Sequence, residues 1–352
     1  MCAEGWRASV GAPIATPPGA GSARAPTLCT AIRSSYWKAQ RSQPSTKPEG
    51  FARLAPPSAP RRAPMSVALT LKPYLALTRL DKPVGIGLLL WPTLWALWLA
   101  AEGMPPLATL AIFLGGVVLT RSAGCAINDY ADRDFDGHVA RTQHRPLATG
   151  ALTPRAALLT AAALTGLAFV LVLFTNTLTI ALAPVAVVLA ALYPFTKRFL
   201  PVPQLFLAAA FSWAIPMAYA AVMNALPSSL WWLVAANMLW TFAYDTEYAM
   251  VDRPWDEAVG IQSTARLFGR FDRLAIGLAF LGALLCLAQA GLSHGVAWPF
   301  YAGLTLAAGH TLYQLWLIRH QDLEASFLAF RSNNLWGALV FLAIVVATAV
   351  SP

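Results

Sequence analysis

The sequence predicts an all-α integral membrane protein with nine transmembrane helices, on three observations. First, the 352 residues are 57% hydrophobic and 12% charged, whereas an ordinary soluble domain is about 25% charged. Second, nine apolar runs are long enough to cross a hydrocarbon layer of about 30 Å as helices. Third, the basic residues of this apolar region lie on alternate connections between the runs. A water-soluble globular protein is therefore excluded.

The predicted spans are continuous apolar runs, not segments of alternating polarity. Helices are expected for that reason, since a membrane barrel needs alternation and every backbone group in a bilayer must be hydrogen-bonded internally. The fourth run is the shortest. The predicted limits are 84–101, 107–127, 156–174, 178–193, 202–223, 229–247, 274–292, 297–317 and 333–350.

Residues 1–64 differ in composition from the rest of the chain. They hold nine Lys or Arg against two acidic residues, whereas 65–352 hold sixteen against fourteen. Pro, Ser, Ala and Gly are frequent and no apolar period is sustained, so we expect this extension to be disordered. It is either an organelle transit segment or an overlong start, with translation beginning at Met65. The membrane domain is placed at 65–352.

The charges of the connections predict the orientation. Four connections, near 102–106, 175–177, 224–228 and 293–296, carry no Lys or Arg. Every basic residue of the membrane domain lies on or close to the opposite face. By the positive-inside rule that face is cytoplasmic in a bacterial inner membrane, or faces the matrix in a mitochondrial inner membrane.

Two short segments concentrate the acidic residues of the membrane domain. Four acids lie in 128–136 (NDYADRDFD) and five lie in 245–257, and both segments follow spans that end on the basic face. Helical spacing places Asn128, Asp132 and Asp136 on one stripe, with Arg121 seven residues earlier. The same spacing makes a second stripe of Asp245, Asp252 and Asp256. The two stripes are expected to face each other.

Carboxylates at this density require a cation. Each costs about 2.5 to 3.5 kcal/mol if it enters the hydrocarbon, and Mg²⁺ is suited to a few carboxylates plus the oxygens of a phosphorylated substrate. Basic residues in 141–146 and 193–198 lie on the same face, so the set predicts a diphosphate site. The alternative is a solvated acidic loop beside bases placed only by topology. Asp134 is off the stripe and is assigned to that alternative.

These residues resemble the UbiA superfamily of intramembrane prenyltransferases. Its two marks, N-D-x-x-D-x-x-x-D and D-x-x-x-x-x-x-D-x-x-x-D, are matched in full by 128–136 and 245–256. The resemblance runs from about Leu75 to Trp336. The segments LDKPVG at 80–85 and YDTEYAMVDR at 244–253 are most similar to the branch of the family that prenylates 4-hydroxybenzoate.

The resemblance implies nine helices around a central cavity, a lipid bilayer as surroundings and Mg²⁺ as cofactor. It also implies a polyprenyl diphosphate donor, 4-hydroxybenzoate as acceptor and a place in ubiquinone biosynthesis. A Tyr-x-x-x-Lys element of the family is matched by Tyr193 and Lys197. The metal and diphosphate ligands carried over by position are Asn128, Asp129, Asp132, Asp136, Asp245, Asp252 and Asp256.

Three further groups of candidate site residues are predicted. For the acceptor carboxylate we choose Arg141, because a planar guanidinium matches two carboxylate oxygens; Arg79, Arg121 and Arg145 are its rivals. Predicted diphosphate ligands are Arg121, Arg145, Lys197 and Arg198, and predicted catalytic residues are Asp132, Asp136, Asp245, Asp252, Arg141 and Tyr193.

Three alternatives remain. The segment 136–141 with Gly150 matches the opening of the CDP-alcohol phosphotransferase motif, but Pro154 and Leu158 replace its next two Asp residues. A transporter is the alternative that is not an enzyme, although transporters usually bind near the bilayer midplane. Within the family the acceptor could be a naphthoate, homogentisate or haem. No nucleic acid partner is expected.

Overall fold

The computed structural model describes residues 67–137, 142–196, 198, 200, 202–259 and 262–350. Throughout these ranges the regular structure is helical, with no β-strand among them. The helices are α1 (Val67–Thr78), α2 (Val84–Ala100), α3 (Leu107–Asp136), α4 (Pro154–Val172), α5 (Thr177–Thr196), α6 (Gln204–Ser212), α7 (Ala214–Met223), α8 (Leu230–Val259), α9 (Thr264–Phe268), α10 (Asp272–Ser293), α11 (Pro299–Leu317) and α12 (Leu323–Val350). Residues 1–64, to which the prediction of a disordered extension applies, lie outside the described part.

Six of the predicted spans are confirmed as helical segments long and apolar enough to cross a membrane. They are Leu107–Asp134, Pro154–Val172, Thr177–Thr196, Gln204–Met223, Thr264–Ser293 and Leu323–Val350. The chain is therefore a multi-pass integral membrane protein. The fourth of these combines α6 and α7, which adjoin at Trp213.

The other three spans stay predictions. Helix α2 is apolar but has 17 residues. Helix α8 carries the second acidic segment, and α11 contains His310 and Gln314, so both are less apolar than the six confirmed spans.

Helices α3 and α8 are longer than the predicted spans. Each has 30 residues, which corresponds to about 45 Å of helix against a hydrocarbon core of about 30 Å. The predicted spans ended at 127 and 247, but both helices continue through the acidic segments. The acids are consequently held on rigid helix and not on a loop.

Three tryptophans join the helices that carry the site. The side chains are fully buried and belong to Trp95 (α2), Trp240 (α8) and Trp336 (α12). The ring centroids of Trp95 and Trp336 each lie 5.1 Å from the ring centroid of Trp240. Trp240 also donates a hydrogen bond to the Asn333 side-chain oxygen at 2.9 Å. Burial of aromatic rings on this scale fixes α8 against α2 and α12.

A smaller cluster attaches α1 to the bundle. Leu77 is fully buried and packs with Ala126 of α3 and with Ala157 and Ala161 of α4. Arg79, two residues beyond Leu77, has φ of 58° and so lies in the left-handed region. That turn between α1 and α2 brings the Arg79 side chain back toward α3.

Candidate active site

A cavity of about 1050 Å³ lies among the helices. One part of its wall is polar and is formed by the acidic ends of α3 and α8, the turn between α1 and α2, and the loop near residue 145. The rest is largely apolar and includes Leu88, Phe113, Val117, Leu207, Phe211 and Met217. A charged group and a long apolar chain can therefore occupy the same cavity.

Both stripes predicted from helical spacing line this cavity. Helix α3 contributes Arg121, Asn128, Asp129, Asp132 and Asp136, and α8 contributes Asp245, Tyr248, Ala249, Asp252 and Asp256. The helices start far apart in sequence, so the packing of the bundle brings two local patterns to one place.

Asn128 and Asp132 form one half of the first acidic segment. The Asn128 amide donates a hydrogen bond to Oδ2 of Asp132 at 3.1 Å, one helical turn away. Both side chains are intermediate in exposure and border the cavity. Their oxygens have the hard, partly solvated character that suits Mg²⁺.

Asp129 and Asp136 form the other half of the first acidic segment, and both form ion pairs with arginine side chains. Nη1 of Arg145 is 2.9 Å from each carboxylate oxygen of Asp136 and 3.3 Å from Oδ1 of Asp129. Nη2 of Arg79 is 2.6 Å from the same Asp129 oxygen. Both carboxylates are buried, so their charges are balanced by these guanidinium groups.

Burial also changes the acidity of Asp136. Desolvation raises the pKa of this carboxyl above its ordinary value, while the charge and hydrogen bond of Arg145 oppose the rise. The Thr142 hydroxyl donates to the backbone carbonyl of Asp136 at 2.9 Å and closes the end of α3.

The ends of α8 and α10 are joined by a further ion pair. Arg253, adjacent to Asp252, pairs with the fully buried carboxylate of Asp272 at the start of α10. The Gln321 amide donates to the same carboxylate at 3.3 Å. Arg253 lies in the part of α8 that continues beyond the predicted span. The ion pair therefore fixes the part of the helix that carries Asp252 and Asp256.

Arg121 is positioned through a close contact with α2. Its Nε donates to the Gly85 carbonyl at 3.2 Å, and its Nη1 lies 2.7 Å from the Cys125 sulfur. A Cβ atom at position 85 would lie 2.5 Å from Nη2 of Arg121. Glycine at 85 is therefore required for this placement of the guanidinium in the cavity wall.

The remaining predicted site residues differ in where the structure places them. Tyr193 lines the cavity, as expected for a site residue. Arg198 does not: it is exposed, donates to the Ala131 carbonyl at 2.7 Å and lies outside the cavity lining. Arg141 and Lys197 lie outside the described residues, so their predicted roles stay predictions.

Residues that sequence reasoning missed also border the cavity. Arg79 was predicted only as a rival to Arg141 for the acceptor carboxylate, whereas it contacts Asp129 directly. Tyr248, Trp255 and Arg331 were not singled out. The signal for Tyr248 and Trp255 was available, since helical spacing puts both near the Asp245, Asp252 and Asp256 stripe.

Within the described ranges no three Asp, Glu, His or Cys side chains converge closely enough to hold one metal ion. The expected seven ligands therefore do not form a closed cage. Carboxylate and amide oxygens instead line two faces of one cavity, which fits Mg²⁺ bound jointly by a few protein oxygens and a substrate.

Fold and site together define an all-helical integral membrane protein with two acidic helix ends facing an apolar cavity. The sequence profile described as the UbiA prenyltransferase family matches residues 89–349, and the chain belongs to this family. The resemblance drawn from the two acidic motifs is thus confirmed.

Relatives of known name are similar over most of their length. A 4-hydroxybenzoate octaprenyltransferase of Aeromonas salmonicida is 56% identical over 273 residues, which cover 78% of this chain and 94% of that protein. Another, from Escherichia fergusonii, is 50% identical over 286 residues, covering 80% of this chain and 99% of that protein.

Solved structures support the fold. The apo structure of a UbiA homologue from Aeropyrum pernix superposes with a TM-score of 0.66 at 24% identity, over 74% of this chain and 97% of that one. A UbiA homologue from Archaeoglobus fulgidus bound to GPP and Mg²⁺ gives a TM-score of 0.64 at 19% identity, over 79% of this chain and 100% of that one.

Proposed function

We propose that this chain transfers a polyprenyl group from a polyprenyl diphosphate to the ring carbon ortho to the hydroxyl of 4-hydroxybenzoate, as a step of ubiquinone biosynthesis. One observation carries the proposal: a 4-hydroxybenzoate octaprenyltransferase is 56% identical over 94% of its length. The cavity, polar at one end and apolar along the rest, supports the same reaction.

Nine membrane spans around a central cavity are part of the proposal. The six confirmed apolar segments would be joined by α2, α8 and α11. Cavity-lining residues on α2 and α8 support a place for both in the bundle. We place the acidic ends on the cytoplasmic side of a bacterial inner membrane, because the basic connections lie there; the mitochondrial alternative places them on the matrix side.

The residues that would hold Mg²⁺ are Asn128 and Asp132 on α3 and Asp245, Asp252 and Asp256 on α8. All five line the cavity. When bound, the metal supplies positive charge that stabilises the diphosphate oxygens as this group leaves. Asp129 and Asp136 belong to the site by positioning Arg79 and Arg145. Their carboxylates already accept hydrogen bonds from those guanidinium groups.

The chain's own residues then provide three effects. Arg121 and Arg145 border the acidic end and stabilise negative charge on the departing diphosphate. Apolar side chains such as Phe113 and Phe211 exclude water from the allylic cation. Tyr193 lines the same cavity and contributes to holding the donor.

The diphosphate leaves with the electron pair of the carbon–oxygen bond, and the ring carbon supplies the pair for the new carbon–carbon bond. The ring then loses its proton to the released diphosphate, which restores its aromaticity. Arg141 is proposed to orient the acceptor through its carboxylate, because a bidentate contact fixes the ring in one direction.

Residues 65–352 are proposed to contain the whole activity, because both acidic motifs lie within them. The extension 1–64 carries most of the excess positive charge and neither motif. It would then serve import, or lie outside the mature protein.

The test incubates membranes containing the full chain with 4-hydroxybenzoate, an isotopically labelled polyprenyl diphosphate and Mg²⁺, and identifies the product by mass. We expect one prenylated 4-hydroxybenzoate and no product in the presence of EDTA. Parallel reactions with homogentisate and a dihydroxynaphthoate test the other acceptors. Product from one of these, with none from 4-hydroxybenzoate, would overturn the proposed acceptor.

A further inference from the structure

A second groove lies on the outer surface of the bundle, between α10 and α11, apart from the cavity described above. Its volume is about 520 Å³. We call it the α10 groove. It is lined by Arg270, Phe271, Arg273, Leu274, Gly277, Leu278, Leu281 and Leu315.

The groove changes character along α10. Arg270 and Arg273 stand at one end and are exposed, and Leu274, Leu278 and Leu281 follow at helical spacing with 59%, 59% and 53% of their surface exposed. From Asp272, where α10 begins, to Leu281 the helix rises about 14 Å, close to half of a hydrocarbon core of about 30 Å. The groove thus spans roughly one leaflet.

Gly277 makes this face concave. A Cβ atom there would make ordinary van der Waals contact with Leu315, at 3.4 Å from its Cδ1. Gly277 and Leu315 both line the groove, which forms a shallow channel with α11 as one wall. Leu274 and Leu278 flank the channel on α10. An acyl chain fits such a channel with more contact than a flat helix face provides.

The charges at the groove's mouth are not neutralised by the intervening acid. Asp272 lies between the two arginines in sequence, but its carboxylate is fully buried and pairs with Arg253. Arg270 stacks over the Phe271 ring at 4.8 Å. A stacked guanidinium keeps its in-plane N–H donors free for phosphate oxygens.

We propose that the α10 groove is a binding site for an anionic phospholipid. The headgroup phosphate lies between Arg270 and Arg273, and one acyl chain follows Leu274, Gly277 and Leu281. Charge complementarity selects the headgroup, and the leaflet-length apolar channel selects a lipid over a free anion. This site is independent of the prenyl-transfer cavity and does not rest on the proposed function.

The test is native mass spectrometry of the full chain in detergent, titrated with phosphatidylglycerol or phosphatidylcholine of matched acyl chains. We expect the first phosphatidylglycerol to bind more tightly than phosphatidylcholine. Arg270→Gln and Arg273→Gln should each weaken that binding about fivefold, the effect of one basic residue at an anionic lipid surface. The double variant should lose the preference for the anionic lipid.

Arg155→Gln is the matched control, because Arg155 is also exposed but lies at the start of α4. It should bind both lipids as the wild type does. Gly277→Leu, which fills the channel, should weaken both lipids equally. Unchanged phosphatidylglycerol binding in the double variant would overturn the proposal. So would an equal loss in Arg155→Gln, or displacement of the lipid by equimolar inorganic phosphate.

Discussion

Arg79 holds Asp129: its Nη2 lies 2.6 Å from Oδ1 of a carboxylate that is fully buried. Removing the cation by Arg79→Gln should lower the free energy of unfolding by about 1 to 3 kcal/mol, because a buried carboxylate loses one of its two partners. Arg145 remains at 3.3 Å and limits the loss. Thermal unfolding in detergent measures the change.

Two companion variants sharpen this test. Asp129→Asn added to Arg79→Gln should recover part of the lost stability, since the buried charge is then gone. Arg133→Gln is the control: its pair with Asp134, at 3.4 Å, has 34% and 66% of the two side chains exposed, and surface pairs contribute about 0 to 1 kcal/mol. If Arg79→Gln is no more destabilising than Arg133→Gln, the pair with Asp129 does not stabilise the fold.

Gly85→Ala should displace Arg121 without unfolding the protein. The new Cβ would meet Nη2 of Arg121 at 2.5 Å, and the end of a flexible side chain moves more easily than the helix. We expect KM for the polyprenyl diphosphate to rise about tenfold with an unchanged Tm. Gly309→Ala, on α11, is the control: position 309 lies outside the cavity lining and its new Cβ would meet nothing within 4 Å, so its kinetics should stay normal. Equal behaviour of the two variants would contradict a donor-binding role for Arg121.

Arg141→Lys should raise KM for 4-hydroxybenzoate about tenfold, because Lys lacks the planar pair of donors that matches a carboxylate. KM for the prenyl donor should change little. Steady-state kinetics with each substrate varied in turn separate the two effects. A weakened donor with unchanged 4-hydroxybenzoate would identify Arg141 as a diphosphate ligand instead.

A chain that starts at Met65 should transfer prenyl groups at the full rate, since both acidic motifs lie beyond that residue. The comparison is the initial rate per inserted molecule in membranes, with insertion measured separately. Lost activity in correctly inserted, truncated protein would show that 1–64 contribute to the enzyme. Failure of organelle import alone would identify them as a transit segment.

The features of the fold and site that depend on local periodicity could be predicted from the sequence. Six apolar helices and the two acidic helix faces follow from residue spacing within single segments. The sequence does not indicate which acids of the first acidic segment pair with arginines, because the contact of Arg79 with Asp129 joins residues 50 positions apart. Arg198 was predicted to bind the diphosphate because it belongs to the basic segment 193–198. Its side chain instead donates to the Ala131 carbonyl, another contact between residues far apart in the sequence.

We infer that the acidic ends of α3 and α8 act on one diphosphate. Product formation by Asp132→Asn, Asp252→Asn and the double variant at saturating Mg²⁺ tests this inference. Asp134→Asn is the control, because Asp134 is 66% exposed and absent from the cavity lining. Each single variant should lose about a hundredfold or more in rate. The double variant should lose little beyond that, since groups acting as a unit are not additive, and the control should be unaffected. Normal turnover in either single variant would show that the two acidic ends do not act on the diphosphate together.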